Sequence, residues 1–399
     1  MQLNLPTKSG RSEIYVLQGG TSFDVPRNLT FNRIAYSAAH VVADPFADNS
    51  PFLEPAIDWD KTIEYRRYLW SLGLGVAEAM DTAQRGMGLD WPMALELIRR
   101  SVAASKDFKG ARIACGCGTD HLDPDSVKSI DDVISAYEMQ MDAIESAGGR
   151  LIVMASRALA RIARGPDDYA RVYDRILSQA KEPVLLHWLG DMFDPALKGY
   201  WGSADLSQAE KTCLDVIAGH AAKVDGIKIS LLDDRMEIRM RRALPRDVKM
   251  YTGDDFNFAD LIAGDDQGYS HALLGIFDAI APAASAALHA LNANDLATYK
   301  KILSPTVALS RHIFKAPTRF YKSGIVLMAW LNGHQDHFVM VGGQEGARSA
   351  LHYAELFKLA DQAGLLRDPD MAVYRMNLWM GTKGVGEWRQ QSQSRIYVA

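Results

Sequence analysis

Residues 224–231 read Val224-Asp225-Gly226-Ile227-Lys228-Ile229-Ser230-Leu231, an apolar, β-branched run with glycine near its start, which is typical of a buried strand. Because side chains alternate along a strand, Gly226, Lys228 and Ser230 share one face and the isoleucines the other. An ammonium on a buried strand loses hydration, which lowers its pKa and favours the neutral amine. A neutral amine in a closed site can form a Schiff base with a carbonyl compound. The lysine could equally lie at a strand end with its head in solvent, or form a structural ion pair.

The bulk properties exclude several classes of protein. The chain has 399 residues and a formal net charge of −5, which argues against a nucleic-acid or anionic-membrane surface. Its three cysteines, Cys115, Cys117 and Cys213, do not form a disulfide framework and indicate reduced intracellular thiols. The N-terminus has no signal-peptide core, and no apolar run is long enough to span a membrane. We therefore expect a cytoplasmic protein.

Strand-like and helix-like segments alternate through the first three quarters of the chain. The strand candidates are residues 34–42, 75–80, 112–115, 151–155, 184–188, 226–230, 248–252 and 268–274. Helical patterns lie between most of them, at residues 59–72, 91–105, 130–146, 168–181, 207–221 and 279–291. Eight such units predict a (β/α)8 TIM barrel, with a doubly wound open sheet as the alternative. A dinucleotide site is disfavoured, since no Gly-x-Gly-x-x-Gly follows the first strand.

The same pattern suggests how the chain is divided. Residues 1–31 form an N-terminal extension and residues 32–294 the barrel. Residues 295–380 are an additional C-terminal helical region, with helices expected at 295–315, 321–331 and 344–363. Residues 381–399 form a polar tail.

Polar residues follow most of the predicted strands, where TIM barrels carry their active sites. The candidates for catalysis are Lys228 and His187. The candidates for substrate binding are Asp81, Thr82, Ser156, Arg157, Asp254, Asp255 and His271. Each has a simpler interpretation when taken alone, such as a core histidine, a helix N-cap or a turn. Together with Lys228 they favour a polar pocket.

The order of these segments resembles the class I aldolase family of dihydrodipicolinate synthase and N-acetylneuraminate lyase, over residues 33–315. Five segments carry the resemblance: the Schiff-base strand Gly226-Ile227-Lys228, the "s-G-x-D" segment at 251–255, the "G-x-I-S" segment at 268–270, the "P-x-x-L-Y-N" strand at 183–188 and the "A-G-x-G" strand at 114–118. The chain resembles a divergent branch of that superfamily, of uncharacterised function. The resemblance implies a TIM barrel and a Schiff base at Lys228, with no cofactor.

The departures from that family concern its anion-binding groups. His187 stands where the family has its proton-relay tyrosine, and Met80-Asp81-Thr82 where it has the "G-T-T" loop that holds the pyruvate carboxylate. A second carboxylate about 4 Å from Asp81 would cost on the order of 4 kcal/mol at an effective dielectric near 20. The arginine expected shortly after the tyrosine is missing, although Arg157 could replace it.

These residues predict a Schiff-base lyase or aldolase that acts on a small, neutral, polyhydroxylated carbonyl compound such as a keto sugar, rather than on pyruvate. Lys228 would be the nucleophile, and His187 would relay protons because the ordinary pKa of histidine is near neutrality. A metal-dependent sugar isomerase or epimerase is the first alternative, with Asp81, His187, Asp254 and His271 as ligands of a divalent cation. A non-catalytic sugar-binding protein is the second. We expect a homo-oligomer, with no nucleic-acid or membrane partner.

Overall fold

The computed structural model describes residues 1–19, 23, 25 and 29–385. Its strands are β1 (Gln2–Pro6), β2 (Ser12–Val16), β3 (Ala35–Ala38), β4 (Gly75–Glu78), β5 (Ile113–Cys117), β6 (Leu151–Val153), β7 (Val184–Leu189), β8 (Val224–Ser230), β9 (Lys249–Thr252) and β10 (His271–Leu274). Strands β3 to β10 pair in parallel and in chain order, and β10 closes on β3. The predicted TIM barrel is therefore confirmed.

Fourteen helices surround and extend this barrel in the described residues. They are α1 (Trp59–Ser71), α2 (Trp91–Lys106), α3 (Ile130–Ser146), α4 (Arg157–Ile162), α5 (Pro166–Gln179), α6 (Leu206–Gly219), α7 (Asp234–Ala243), α8 (Phe258–Ala263), α9 (Ile276–Ala279), α10 (Ala281–Asn292), α11 (Leu296–Ile313), α12 (Tyr321–Leu331), α13 (Ala350–Gln362) and α14 (Pro369–Thr382). Within the described part of the chain, no helix has both the length and the apolar character needed to cross a membrane.

The alternation expected along β8 is present. Lys228 pairs in register with His187 on β7 and with Tyr251 on β9. Ile227 and Ile229 belong to the hydrophobic cluster between the strands and the outer helices, which leaves the lysine on the barrel's inner face. A separate apolar cluster, which includes Leu185 and Tyr251, fills the barrel interior. The charged side chain of Lys228 thus shares the inside of the barrel with a packed core.

The last barrel strand begins later than the sequence predicted. Gly268 and Asp265 close a tight turn by exchanging backbone hydrogen bonds, and Gly268 has a φ of +151°, so the extended chain starts only at His271. The predicted placement of His271 among the residues at the C-terminal ends of the strands is therefore wrong, because His271 is the first residue of β10. Its Nδ1 accepts a hydrogen bond from the Ile34 backbone, just before β3.

The segments outside the barrel pack onto it. Strands β1 and β2 form an antiparallel hairpin, which the sequence did not predict. The Tyr15 hydroxyl and the Gln18 amide both donate to the Asp361 carboxylate on α13. A single hydrophobic cluster joins this hairpin, the barrel and helices α10–α14, so it continues across the predicted boundary at residue 294. The domain division stays a prediction, and residues 386–399 of the predicted tail lie outside the described residues.

A buried ion pair fixes α1 against the end of β4. The guanidinium of Arg66 donates to both carboxylate oxygens of Glu78 at 2.9 Å, and neither side chain is accessible to solvent. Arg66 also donates to the backbone oxygens of His40 and Thr62. Such a pair stabilises the fold mainly when it is complete, because either charge left alone in the core is expensive.

We expect Glu78→Ala to lower the free energy of unfolding by about 3–5 kcal/mol, since it leaves the Arg66 guanidinium uncompensated. The double variant Arg66→Met/Glu78→Leu should recover most of that loss. Urea denaturation measures both, and Asp215→Ala, which breaks the exposed Lys211–Asp215 pair, is a control that should change little. A double variant as unstable as Glu78→Ala would contradict this account.

Candidate active site

Lys228 lies inside the barrel with 7% of its surface exposed. Burial lowers the pKa of its ammonium, while the carboxylates of Asp255 and Asp81 oppose that shift. No described residue forms a hydrogen bond or a close ion pair with its Nζ, so the opposing charges act at longer range. The structure therefore excludes both simpler interpretations of this lysine, a solvated head and a structural ion pair.

Glycine at position 253 allows the lysine to occupy this place. A Cβ atom built on Gly253 would lie 2.6 Å from Lys228 Cε and 2.3 Å from Ser230 Oγ. Both distances are far below van der Waals contact, so any other residue would displace the lysine or the strand end. The Gly253 of the "s-G-x-D" segment thus has a packing role beside the lysine.

His187 is the neighbour of Lys228 on β7. Its Nε2 lies 3.2 Å from Ser230 Oγ, which itself lies two residues beyond the lysine on β8. Burial and the nearby Lys228 charge lower the pKa of His187 well below its usual value, so the imidazole is neutral at pH 7. The ordinary histidine pKa therefore does not apply at this position, and the relay role of His187 stays a prediction. A neutral imidazole can still pass a proton between its two nitrogens and the Ser230 hydroxyl.

The two aspartates after β9 have different roles. Asp254 accepts hydrogen bonds from the Phe256 and Asn257 backbone amides and from the Asn257 side chain, so its carboxylate caps its own loop rather than binding substrate. Asp255 is buried and accepts one hydrogen bond, from the Ile276 amide at 2.9 Å. Burial raises its pKa, against the opposing charge of Lys228. Asp255 is thus the carboxyl group coupled to the lysine, and it can exchange a proton closer to neutral pH than an ordinary aspartate.

Asp81 meets a partner that the sequence did not predict. Its Oδ1 lies 2.9 Å from the Nζ of Lys322, whose side chain is only 2% exposed at the start of α12. The preceding residue, Tyr321, shares a 2.8 Å hydrogen bond with the Thr82 hydroxyl. The expectation that Asp81 presents an uncompensated negative charge is therefore wrong, and the Thr82 hydroxyl is already engaged.

A pocket of about 150 Å³ opens at the C-terminal ends of the strands, with Asp81 and His187 on its wall. Its charged residues are paired: Arg157 Nε donates to Asp194 at 2.5 Å, and Arg85 donates to both oxygens of Asp120. Although burial opposes it, the Arg85 guanidinium holds the pKa of Asp120 at about 2. The free anion clamp suggested for Arg157 is therefore wrong. Lys228 does not line this pocket, but it adjoins His187 on the next strand.

Two more of the predicted residues do not reach the pocket. Ser156 caps α4 through the Leu159 amide and bonds the Thr119 hydroxyl at 2.6 Å. His271 lies near the N-terminal ends of the strands, where burial, Lys249 and Arg33 lower its pKa to about 4. The four ligands of the metal alternative, Asp81, His187, Asp254 and His271, are consequently not brought together. Among the described residues, no cluster of three or more histidine, cysteine or acidic side chains has the arrangement of a metal site.

The sequence did not predict three residues that lie in or beside the candidate site, which are Lys322, Tyr321 and Arg85. The first two lie some 240 positions after Asp81, in a region interpreted as an appendage. One signal was available, since Lys322 is a lysine at the start of the otherwise apolar helix α12. Arg85 lies four residues after Asp81, and its loop position gave no sign that it would be buried.

Comparison with solved structures identifies this architecture at low sequence identity. A prophage protein of the dihydrodipicolinic acid synthase family from E. coli, in complex with pyruvate, superposes with a TM-score of 0.63 and 14% identity, covering 84% of this chain and all (100%) of that one. The dihydrodipicolinate synthase from Aquifex aeolicus gives 0.62 at 10% identity, covering 84% of this chain and 99% of that one. The chloride-inhibited dihydrodipicolinate synthase from Acinetobacter baumannii, complexed with pyruvate, gives 0.60 at 14%, covering 84% and 100%.

These similarities confirm the predicted resemblance at the level of the fold. No curated protein sequence matches the chain significantly. A family model described as "Protein of unknown function (DUF993)" matches residues 3–385, nearly the whole length. The chain therefore belongs to the DUF993 family, and it has the fold of dihydrodipicolinate synthase.

Proposed function

We propose that this protein is a Schiff-base-forming lyase or aldolase with Lys228 as its nucleophile. The observation that carries the proposal is the buried lysine on an inner barrel strand, which forms no close pair with any described residue and whose pKa is lowered beside a neutral histidine. A structural lysine gains nothing from this position, whereas a nucleophilic amine must be neutral to react. The fold shared with dihydrodipicolinate synthase is consistent with this chemistry, although shared fold alone does not establish it.

The chemistry follows from these neighbours. The Lys228 amine attacks the substrate carbonyl carbon, and as its nitrogen loses one proton the carbonyl oxygen gains one, which gives a neutral carbinolamine. A second proton on that hydroxyl lets it leave as water, which produces the iminium. Asp255 is the candidate acid, because burial raises its pKa towards neutrality. His187 and the Ser230 hydroxyl provide a path for protons next to the iminium. The iminium then accepts the electron pair of the bond that breaks in the substrate.

The substrate class follows from the charge balance of the pocket. Asp81, Arg85 and Arg157 each have an oppositely charged partner within 2.9 Å. A carboxylate substrate would have to compete with Asp120 or Asp194 for an arginine, whereas hydroxyl groups can bond to the outer atoms of these pairs without separating them. The small pocket volume of about 150 Å³ indicates a compact molecule. We therefore propose a small, neutral, hydroxylated ketone or keto sugar.

Reduction with borohydride in the presence of dihydroxyacetone should trap the iminium at Lys228. The product is a secondary amine, and the protein gains the mass of the ketone less one oxygen atom. Intact mass and peptide mapping locate the adduct, which should form more readily than with pyruvate. Lys228→Arg should abolish it, and Lys249→Arg, a lysine on the neighbouring strand that pairs with Asp225, should not. Turnover without any adduct at Lys228 would contradict the proposal.

The coupling between Asp255 and Lys228 predicts a shift in the pH dependence of adduct formation. The Asp255 carboxylate raises the pKa of Lys228, so Asp255→Asn should move the midpoint of trapping to lower pH. The asparagine can still accept the Ile276 hydrogen bond, which preserves the loop. Asp254→Asn is the matched control, since Asp254 caps the same loop, and it should leave the midpoint in place. Equal midpoints for all three proteins would exclude the coupling.

Lys228→Met should stabilise the fold at the expense of activity. Burial lowers the pKa of Lys228, so the unfolded chain binds the proton more tightly and the folded protein is penalised at pH 7. Removing the charge should raise the free energy of unfolding by about 1 kcal/mol or more, since one pKa unit corresponds to ~1.4 kcal/mol. The gain should diminish as the pH rises towards the ordinary lysine pKa. Urea titrations at several pH values measure it, and a loss of stability would indicate a structural lysine.

A further inference from the structure

A second cavity lies far along the chain from Lys228, between the hairpin turn and the C-terminal helices. It has a volume of about 780 Å³, roughly five times that of the pocket beside His187. Three segments form its wall: residues 6–8 after β1, the end of α11 with Lys315, and residues 347–358 at the start of α13. This cavity is called the basic cavity below, after the side chains that line it.

Four lysine and arginine side chains line the basic cavity, and one carboxylate accompanies them. The cations are Lys8, Lys315, Arg348 and Lys358, and the carboxylate is Glu355. Among the described residues, no acidic side chain forms a close ion pair with any of the four cations. Two amino groups of Arg348 donate to the backbone oxygens of residues 315–317, which fixes the guanidinium at the cavity wall. The cavity therefore holds excess positive charge on a fixed frame.

His352 is the observation that separates this cavity from an ordinary basic surface. Its side chain is only 5% exposed, and neither of its ring nitrogens has a hydrogen-bond partner in the part of the chain that the structure describes. The ring stacks on His312 with centroids 4.3 Å apart, and His312 Nε2 is taken up by the His352 backbone oxygen. A buried imidazole that lacks every partner is costly, and a ligand in the cavity would supply one.

The start of helix α13 also favours an anion in the basic cavity. Ser349 is its N-cap and accepts a hydrogen bond from the His352 backbone amide. Both residues line the basic cavity, so this 13-residue helix begins at the cavity wall. Helix N-termini favour anions, because their free amides and their dipole present positive charge. Burial, His312, Lys315 and Arg348 lower the pKa of His352 to about 3, so its imidazole is neutral at pH 7.

We propose that the basic cavity is a binding site for a small organic phosphate, distinct from the pocket beside His187. The phosphate group would lie at the start of α13, bound by Lys315, Arg348 and a donated N–H of neutral His352. Phosphate fits better than a single carboxylate, because it carries more charge and accepts more hydrogen bonds. The volume leaves room for the organic part of the ligand beyond the phosphate group.

Calorimetric titration of the whole protein with inorganic phosphate and pyrophosphate tests the proposal, at an ionic strength held constant with sodium chloride. We expect saturable binding of pyrophosphate that is tighter than that of phosphate, because of its higher charge. Lys315→Ala should weaken pyrophosphate binding on the order of tenfold, which corresponds to the loss of one charge-assisted contact. Lys315 is exposed, so this change should not disturb folding.

Two further variants make the result specific. His352→Phe keeps an aromatic ring on His312 but removes both nitrogens, and it should also weaken binding. Lys109→Ala removes an exposed lysine from the loop before β5 and should leave the affinity unchanged. Absence of saturable binding at millimolar pyrophosphate would overturn the proposal. Equal affinities in Lys315→Ala, Lys109→Ala and the unaltered protein would do so too, as would tighter binding of citrate than of pyrophosphate.

Discussion

The loss of hydration at the Lys228 ammonium is the constraint on which the rest of this site depends. A charge on the inner face of a barrel strand is tolerated only if something compensates it or if it is given up as a proton. Here no described group forms a direct pair with the lysine, and Gly253 packs directly against its Cε, leaving no space for a side chain. Burial therefore favours the neutral amine, and that amine is the reactive species in imine chemistry.

The neighbours of the lysine follow from the same loss of hydration. Burial and the charge that Lys228 carries when protonated lower the pKa of His187. Burial raises the pKa of Asp255, whose carboxylate accepts a hydrogen bond from a single group among the described residues, the Ile276 amide. The environment thus lowers the pKa values of the two bases and raises that of the acid. Groups whose pKa values are moved in this way are typical of catalytic sites, and they are expensive for a protein that does not use them.

The C-terminal helices supply side chains that pair with residues of the candidate site. Without Lys322, Asp81 would face the pocket beside His187 as an unbalanced carboxylate, and without Tyr321 the Thr82 hydroxyl would lack its partner. Helix α11 contributes as well, since the Ser310 hydroxyl donates to the backbone oxygen of Asp255 at 2.5 Å. These polar contacts accompany the hydrophobic cluster that continues from the barrel into the helices beyond residue 294.

Much of the fold could be predicted because it is encoded locally. Short apolar runs predict the barrel strands. The alternation of side chains along β8 was enough to predict that Lys228 and Ser230 share one face and the isoleucines the other. The candidate site was harder to predict from the sequence, since Lys322 pairs with Asp81, 241 positions away, and no spacing rule links the two residues. A strand start misplaced by three residues moved His271 to the wrong end of the barrel. Asp254 and Asp255 are adjacent and chemically identical. Their different roles come from their different hydrogen-bond partners in the fold, which the sequence does not reveal.

The most direct test is the pKa of Lys228 itself, measured by NMR titration of protein labelled with 13Cε-lysine. The Lys228 resonance is assigned as the one missing from the spectrum of Lys228→Met. We predict that it titrates with a midpoint clearly below that of the exposed lysines, whose ordinary pKa is about 10.4. A midpoint that coincides with the exposed lysines would show that burial does not favour the neutral amine and would contradict the role of Lys228 as the nucleophile.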